Sequence, residues 1–216
     1  QQVAALEAAV GPDYELRWYT TFGQRLSLTA LTVRTTAIRL RLPEGLPVHR
    51  AIVDFTNRFS EHAIPAAALG VSRPLVMAIR WALERWWRMQ WLGRLGGLWG
   101  AYAQMDIIPG LLCAGHFALV RRSSAQCTVA TGVEDGIAMQ RFWLAATDLG
   151  LVLQPNLSPR VLATYAEKNL PFTRVSSLRR RAQKVRAQLL RLLGGARLDD
   201  TVTLGRIGQP IAKPLT

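Results

Sequence analysis

The side chains that usually carry chemistry are present in this chain but are not grouped. His49, His62 and His116 lie far apart, and no second ligand stands at metal-site spacing from any of them. Cys113 and Cys127 do not make a disulfide framework; both sit in apolar or β-branched surroundings, which predicts buried free thiols. The carboxylates are too scattered to nominate an acid–base pair, and His116, inside an apolar run, reads as a core histidine with its hydrogen bonds satisfied. There is no phosphate-cradling Walker loop, nucleophile elbow or internal repeat. Two segments stand out instead. Gly136 to Pro155 reads as an apolar helix, a glycine stop at Gly150 and an extended stretch that turns at a proline. Leu204-Gly205-Arg206-Ile207-Gly208-Gln209-Pro210 reads as a late strand with a glycine–proline end.

The elements that must hold these segments follow from apolar periodicity and its punctuation. A helix over residues 3–10 stops at Gly11-Pro12, and Tyr14 to Tyr19 reads as a strand. Residues 24–40, opened by Thr21, fit a helix, although Leu26, Leu28 and the threonines also alternate as in a strand. Val48 to Phe59 is expected to be a helix with Ile52, Phe55 and Phe59 on one side. Ser72 and Pro74 open a predicted long helix to about Leu92, in which Arg80, Glu84 and Arg88 form one polar stripe by i,i+4 pairing. Its tryptophans, Trp81, Trp86, Trp87 and Trp91, fit a core or subunit interface better than a bilayer surface, because the polar stripe is narrow.

Leu111 to Val120 is expected to be a buried strand, and Cys127 to Ala130 a short second one. The helix from about Val133 to Leu149 is apolar around nearly its whole circumference, which predicts a central position. Ser158-Pro159 open a further helix to about Lys168. Ser176 to Leu193 forms a basic amphipathic helix with Leu178, Ala182, Val185, Leu189 and Leu192 as its buried seam. The last strand is Thr201 to Ile207.

Gly136–Pro155 followed by Leu204–Pro210, in this order, resembles the nitroreductase-like flavin-binding family. Gly150-Leu151 resembles the pair that ends the family's core helix, and Gln154-Pro155-Asn156-Leu157-Ser158 the segment whose backbone lies against the flavin. The runs Ile38–Glu44, Val48-His49-Arg50, Arg58-Phe59-Ser60 and Ala68-Leu69-Gly70, with the Trp-rich helix, are similar to one branch of that family. In that branch the region is fused to an adenylating domain of the ubiquitin-activating type, and its members are often labelled molybdopterin-biosynthesis proteins. The resemblance covers about residues 14–210.

The resemblance implies an α+β fold with a central mixed or antiparallel sheet surrounded by helices. It also implies an intertwined homodimer with FMN at the interface, and hydride transfer from NAD(P)H through FMN to a small-molecule acceptor. Gln154, Pro155, Asn156, Leu157, Ser158, Gly208 and Lys213 would be the FMN-binding residues, and no catalytic acid or base is required. Backbone N–H groups around Asn156 to Ser158 and the start of the following helix would favour the electron-rich reduced ring. The sequence departs from the family pattern at several points, among them the polar Asn-containing loop, which is missing, and the zone after the late Gly-x-Pro, where Lys213 is the one basic residue. Gln209 stands where a tyrosine is usual, and the Arg-Arg-Ser-x-Arg-like phosphate motif is absent from the start of the chain. That absence leaves open a flavin-free relative acting as a binding or regulatory module.

Composition sets the outer limits. The chain has 216 residues and half are apolar, enough for one domain with a sizeable core. It reads as a single domain, 1–216, expected to be incomplete at one or both ends. Lys and Arg number 27 against 14 Asp and Glu, a net charge of +13. Because the basic residues are spread along the chain and Lys occurs only at 168, 184 and 213, an arginine-rich solvated surface is favoured over nucleic-acid binding. The Arg179–Arg191 helix has no interleaved aromatics for base stacking, so nucleic acid is the weakest of the three functional readings. No secretory signal opens the sequence, and the longest uncharged stretch is too short to span a bilayer, which together predict a cytoplasmic protein.

Overall fold

A computed structural model describes residues 1–122 and 128–210. In chain order its elements are α1 (Gln2–Val10), β1 (Tyr14–Tyr19), α2 (Phe22–Arg39), α3 (Gly45–Ile52), β2 (Val53–Asp54) and β3 (Ile64–Pro65), then a 3-10 turn (Ala66–Leu69). Next come α4 (Arg73–Leu83), α5 (Trp86–Arg94), α6 (Trp99–Ala101), a π-helical turn (Tyr102–Ile107), α7 (Ile108–Leu112) and β4 (Gly115–Arg121). The described chain ends with α8 (Val129–Asp148), β5 (Val152–Pro155), α9 (Ser158–Glu167), α10 (Ser176–Leu192) and β6 (Thr201–Gly208). The fold is α+β: four antiparallel strands in the order β1-β4-β6-β5, with helices on both faces. A separate two-stranded parallel pair joins β2 and β3.

β4 explains the layering. All seven of its residues are buried, as expected of a strand covered on both faces. Phe117 and Leu119 point into one core with α1 and α8, where Phe117 meets Phe142 edge-to-face at 4.8 Å. Ala118 and Val120 point into the other core, formed with α2, α9 and α10. A third cluster packs α4, α5 and the π-helical turn against α2. The seam of α10 is buried at Leu178, Ala182, Val185 and Leu189, as its periodicity predicts; Leu192 is half-buried.

The ambiguity over residues 24–40 resolves to helix. Thr21 and Gln24 form a reciprocal capping box, and Thr32 and Thr35 donate their hydroxyls to Leu28 O and Thr32 O. Those bonds give the β-branched polar residues partners inside the helix. Thr21→Ala is expected to destabilise the protein by about 1 kcal/mol, read as a shift in the urea midpoint at unchanged slope.

Four element boundaries depart from the sequence reading. The helix expected over 48–59 ends at Ile52, because the Asp54 carboxylate accepts hydrogen bonds from the backbone N–H groups of Thr56 and Asn57. This local turn competes with helix, and its bonds hold the carboxyl well below the usual range. The helix expected over 72–92 breaks at Glu84-Arg85. A straight helix would set Leu83 and Met89 roughly 240° apart around its axis; the break turns both into the same core. Residues 108–112 are helix, so the strand expected from Leu111 begins only at Gly115. Thr128 caps α8 with Thr131, which makes 129–130 helical where a strand was expected; Cys127 lies outside the described residues.

α8 is also less central than its composition suggests. Ala138, Phe142 and Ala146 are buried against the sheet, but Val129, Val133, Ile137, Trp143 and Leu144 are exposed. α1 packs beside it, and among the described residues its outer apolar face is exposed.

Candidate functional site

β5 and β6 bring together the two segments singled out in the sequence. Their register pairs Val152 with Gly208, Gln154 with Arg206 and Pro155 with Gly205. The pairing continues past the strand, where Asn156 N donates to Leu204 O at 2.6 Å. Gly150, at φ 69°, turns the chain out of α8 into β5, a backbone state that L side chains rarely adopt. α9 then starts at Ser158 with Pro159 in its first turn; Leu157, not Ser158, occupies the cap position, and no side chain caps the helix.

These segments line a cleft of about 880 Å³. Its opposite wall comes from α2 through Leu28, Leu31, Thr32 and Thr36, and from the π-helical turn and α7 through Met105, Asp106, Pro109 and Leu112. Gln154, Pro155, Asn156, Leu157, Ser158 and Gly208 all border this one space; Lys213 lies outside the described residues. A smaller apolar cavity of about 480 Å³, between α2 and α9, shares Arg39, Leu157 and Ser158 with the cleft.

The polar groups of the cleft are few and fixed. Asn156 Nδ2 donates to Thr32 Oγ1 at 3.0 Å, tying β5 to α2. Arg206 donates to Met105 O at 3.0 Å and to the Gln154 side chain, bridging β6 to the π-helical turn. His116 is buried, and its Nε2 lies 2.9 Å from Gly110 O. Burial and the Gly110 bond pull in opposite directions on its pKa; burial dominates, so the imidazole is held below its ordinary value. Cys113 hydrogen-bonds to Gly110 O, and burial pushes its thiol up, away from a reactive thiolate.

Asp106 is the group that sequence reading passed over. It lies on the π-helical turn, a backbone form frequent at functional positions, with 6 % of its surface exposed and Oδ2 lacking a hydrogen-bond partner. Burial raises its pKa against the opposing effects of a Thr36 hydrogen bond and the charges of Arg39 and Arg206. Its signal in the sequence was one acid between Met105 and Ile107, in an otherwise uncharged stretch. Arg206 lies within the Leu204–Pro210 segment, but only the β5–β6 register shows that it faces Gln154.

Among the described residues no group of three or more His, Cys, Asp or Glu side chains converges to hold a metal ion, and no helix is long and apolar enough to cross a membrane. Comparison of the chain with protein-family models, with curated proteins and with solved structures found no match.

Proposed function

We propose that the cleft between β5, β6 and α2 binds FMN, and that the protein is an oxidoreductase of the nitroreductase type passing hydride from NAD(P)H to a small-molecule acceptor. The observation that carries this reading is the convergence of Gln154–Ser158 and Leu204–Pro210, about fifty residues apart in sequence, on one cleft. About 880 Å³ lies within the range of pockets that take drug-sized and cofactor ligands. The residues fit such a ligand: apolar walls from Leu28, Leu31, Met105 and Leu157, a few fixed polar atoms, and one buried carboxyl oxygen without a partner.

When bound, FMN supplies the redox chemistry, accepting hydride from one substrate and yielding it to another. The chain's own contribution is positioning. Asn156, held by Thr32, and Arg206, held by Met105 O, are fixed before any ligand arrives, so little ordering cost is left for binding. Arg39, exposed on the rim, is a cation available to a phosphate. The uncapped first turn of α9 offers N–H groups and a positive helix end beside Ser158, which favours negative charge there. The uncovered face of α8 supports a homodimer, since Val129, Val133 and Ile137 recur every four residues along it.

A second reading is a flavin-free binding module of the same fold. It is favoured by Arg206, which is already committed to Gln154 and Met105 O and not free to clamp a phosphate. Absorbance after addition of excess FMN and desalting separates the two. The flavin reading expects retained flavin bands and a raised melting temperature, with about 2.7 kcal/mol of stabilisation at a hundredfold excess over Kd. Ser158→Leu should lower FMN affinity by about tenfold or more while leaving the melting temperature of the FMN-free protein unchanged. A colourless wild-type protein that gains no stability from FMN would leave the module reading standing.

A further inference from the structure

The break between α4 and α5 creates a surface that a straight helix would not have. Met77 and Trp81 are four residues apart on α4; Trp87, Trp91 and Leu95 follow at the same spacing along α5 and just past its end, so each set forms one stripe. Trp81 and Trp87 meet edge-to-face at 6.2 Å, which joins the two stripes across the break. Trp99, at the start of α6, is a further exposed indole, its ring beside Gly96. These six side chains are between 43 % and 74 % exposed.

The opposite face of the same helices is buried against α2 through Ala82, Leu83 and Met89. The apolar stripe is therefore the outer face of a docked element. Of the tryptophans expected in a core or subunit interface, Trp86 packs against this cluster, and Trp81, Trp87 and Trp91 are exposed on the single chain.

The charges around the stripe have one dominant sign. Within residues 73–99, Arg73, Arg80, Arg85, Arg88 and Arg94 stand against Glu84 alone, which is ion-paired with Arg88. The Arg88 guanidinium lies over the rings of Trp81 and Trp87, at 5.2 and 5.5 Å from their centroids, so cation and indoles form one unit. An isologous contact with a second copy would set this arginine-rich face against itself. Exposed aliphatic side chains at Met77 and Leu95 have no stacking role toward nucleic acid. Tryptophans with aliphatic neighbours and a rim of arginines match the interface of an anionic bilayer, where indoles settle at headgroup depth and arginines meet lipid phosphates.

We propose that the Met77–Trp99 stripe docks the protein peripherally on an anionic membrane surface. The test is vesicle flotation with the whole protein, comparing phosphatidylcholine alone with equal parts of phosphatidylcholine and phosphatidylglycerol, with tryptophan emission read in parallel. Expected are binding to the mixed vesicles only, a blue shift of emission, and release by salt. Arg85→Gln with Arg94→Gln should weaken partitioning by about thirtyfold, because each arginine near such a surface contributes roughly a factor of five. Trp91→Ser with Leu95→Ser should weaken it by about tenfold or more. All four positions are exposed, so circular dichroism and melting temperature should stay at the wild-type values. The proposal is overturned by any of three results: no preference for the anionic vesicles, binding that both double variants retain, or a dimer in sedimentation velocity that the Trp91/Leu95 variant loses.

Discussion

Gly205→Ala should cost about 3 kcal/mol of stability and abolish ligand retention in the cleft, although it adds only one methyl group. A Cβ at this position would lie 2.4 Å from Phe117 Cζ and 2.7 Å from the backbone oxygen of Gln154. Phe117 is fully buried and packed edge-to-face against Phe142, so its ring has nowhere to withdraw. The other neighbour is main chain, and relief there means moving β5 away from β6. Urea denaturation gives the stability loss, and ligand retention gives the displacement of β5. A Gly205→Ala protein with wild-type stability would show that the β4–β6–β5 packing is looser than described.

Asp135→Ala should be comparably damaging, at about 3 kcal/mol. The Arg121 side chain is 5 % exposed and meets Asp135 through two bonds, Nε to Oδ1 at 3.1 Å and Nη2 to Oδ2 at 2.7 Å. Tyr14 OH also donates to Asp135 Oδ1 at 3.1 Å. Burial, then that bond to Asp135, pushes the Tyr14 hydroxyl up to about 12, so it remains a neutral donor throughout the physiological range. Removing the carboxylate takes two bonds from the Arg121 guanidinium at the end of β4, leaving it the longer ion pair to Asp200 at 3.9 Å, and takes the acceptor from the Tyr14 phenol at the start of β1. Asp135→Asn keeps the shape but not the charge and should recover only part of the loss. The check is chemical denaturation of all three proteins at neutral pH, where equal midpoints for Asp135→Ala and wild type would remove the network from the stability argument.

Much of the frame was legible because it rests on local signals. Thr21 and Gln24 announce a capped helix, Gly150 a left-handed stop, and the seam of α10 an amphipathic period; all three lie where those signals place them. The span of β6 was likewise readable to within one residue. The misplaced boundaries came from interactions that periodicity does not encode. The Asp54 turn is side chain to backbone, and the break at Arg85 serves packing of Leu83 and Met89 on α2, a partner distant in sequence.

The cleft divides the same way. Its β5 and β6 walls were contiguous motifs, whereas Thr32, Asp106 and His116 arrive from α2, the π-helical turn and β4. Nothing short of the tertiary structure brings an isolated aspartate at 106 beside an arginine at 206. α8 departs for a related reason: an all-round apolar helix predicts burial, but among the described residues its outer side is exposed.

The strand order β1-β4-β6-β5 carries a consequence for the order of assembly. Among the described residues β6 is the last strand in sequence, yet it lies between β4 and β5 and is the only strand to which β5 is bonded. Until residues 201–208 have left the ribosome, the growing chain can pair β1 with β4, but it leaves β5 without a neighbour and the inner edge of β4 bare. The cleft thus comes into being in a single late event, together with closure of the sheet. A nascent chain held up before that point would expose an apolar strand edge, the form in which partly made proteins recruit chaperones or aggregate.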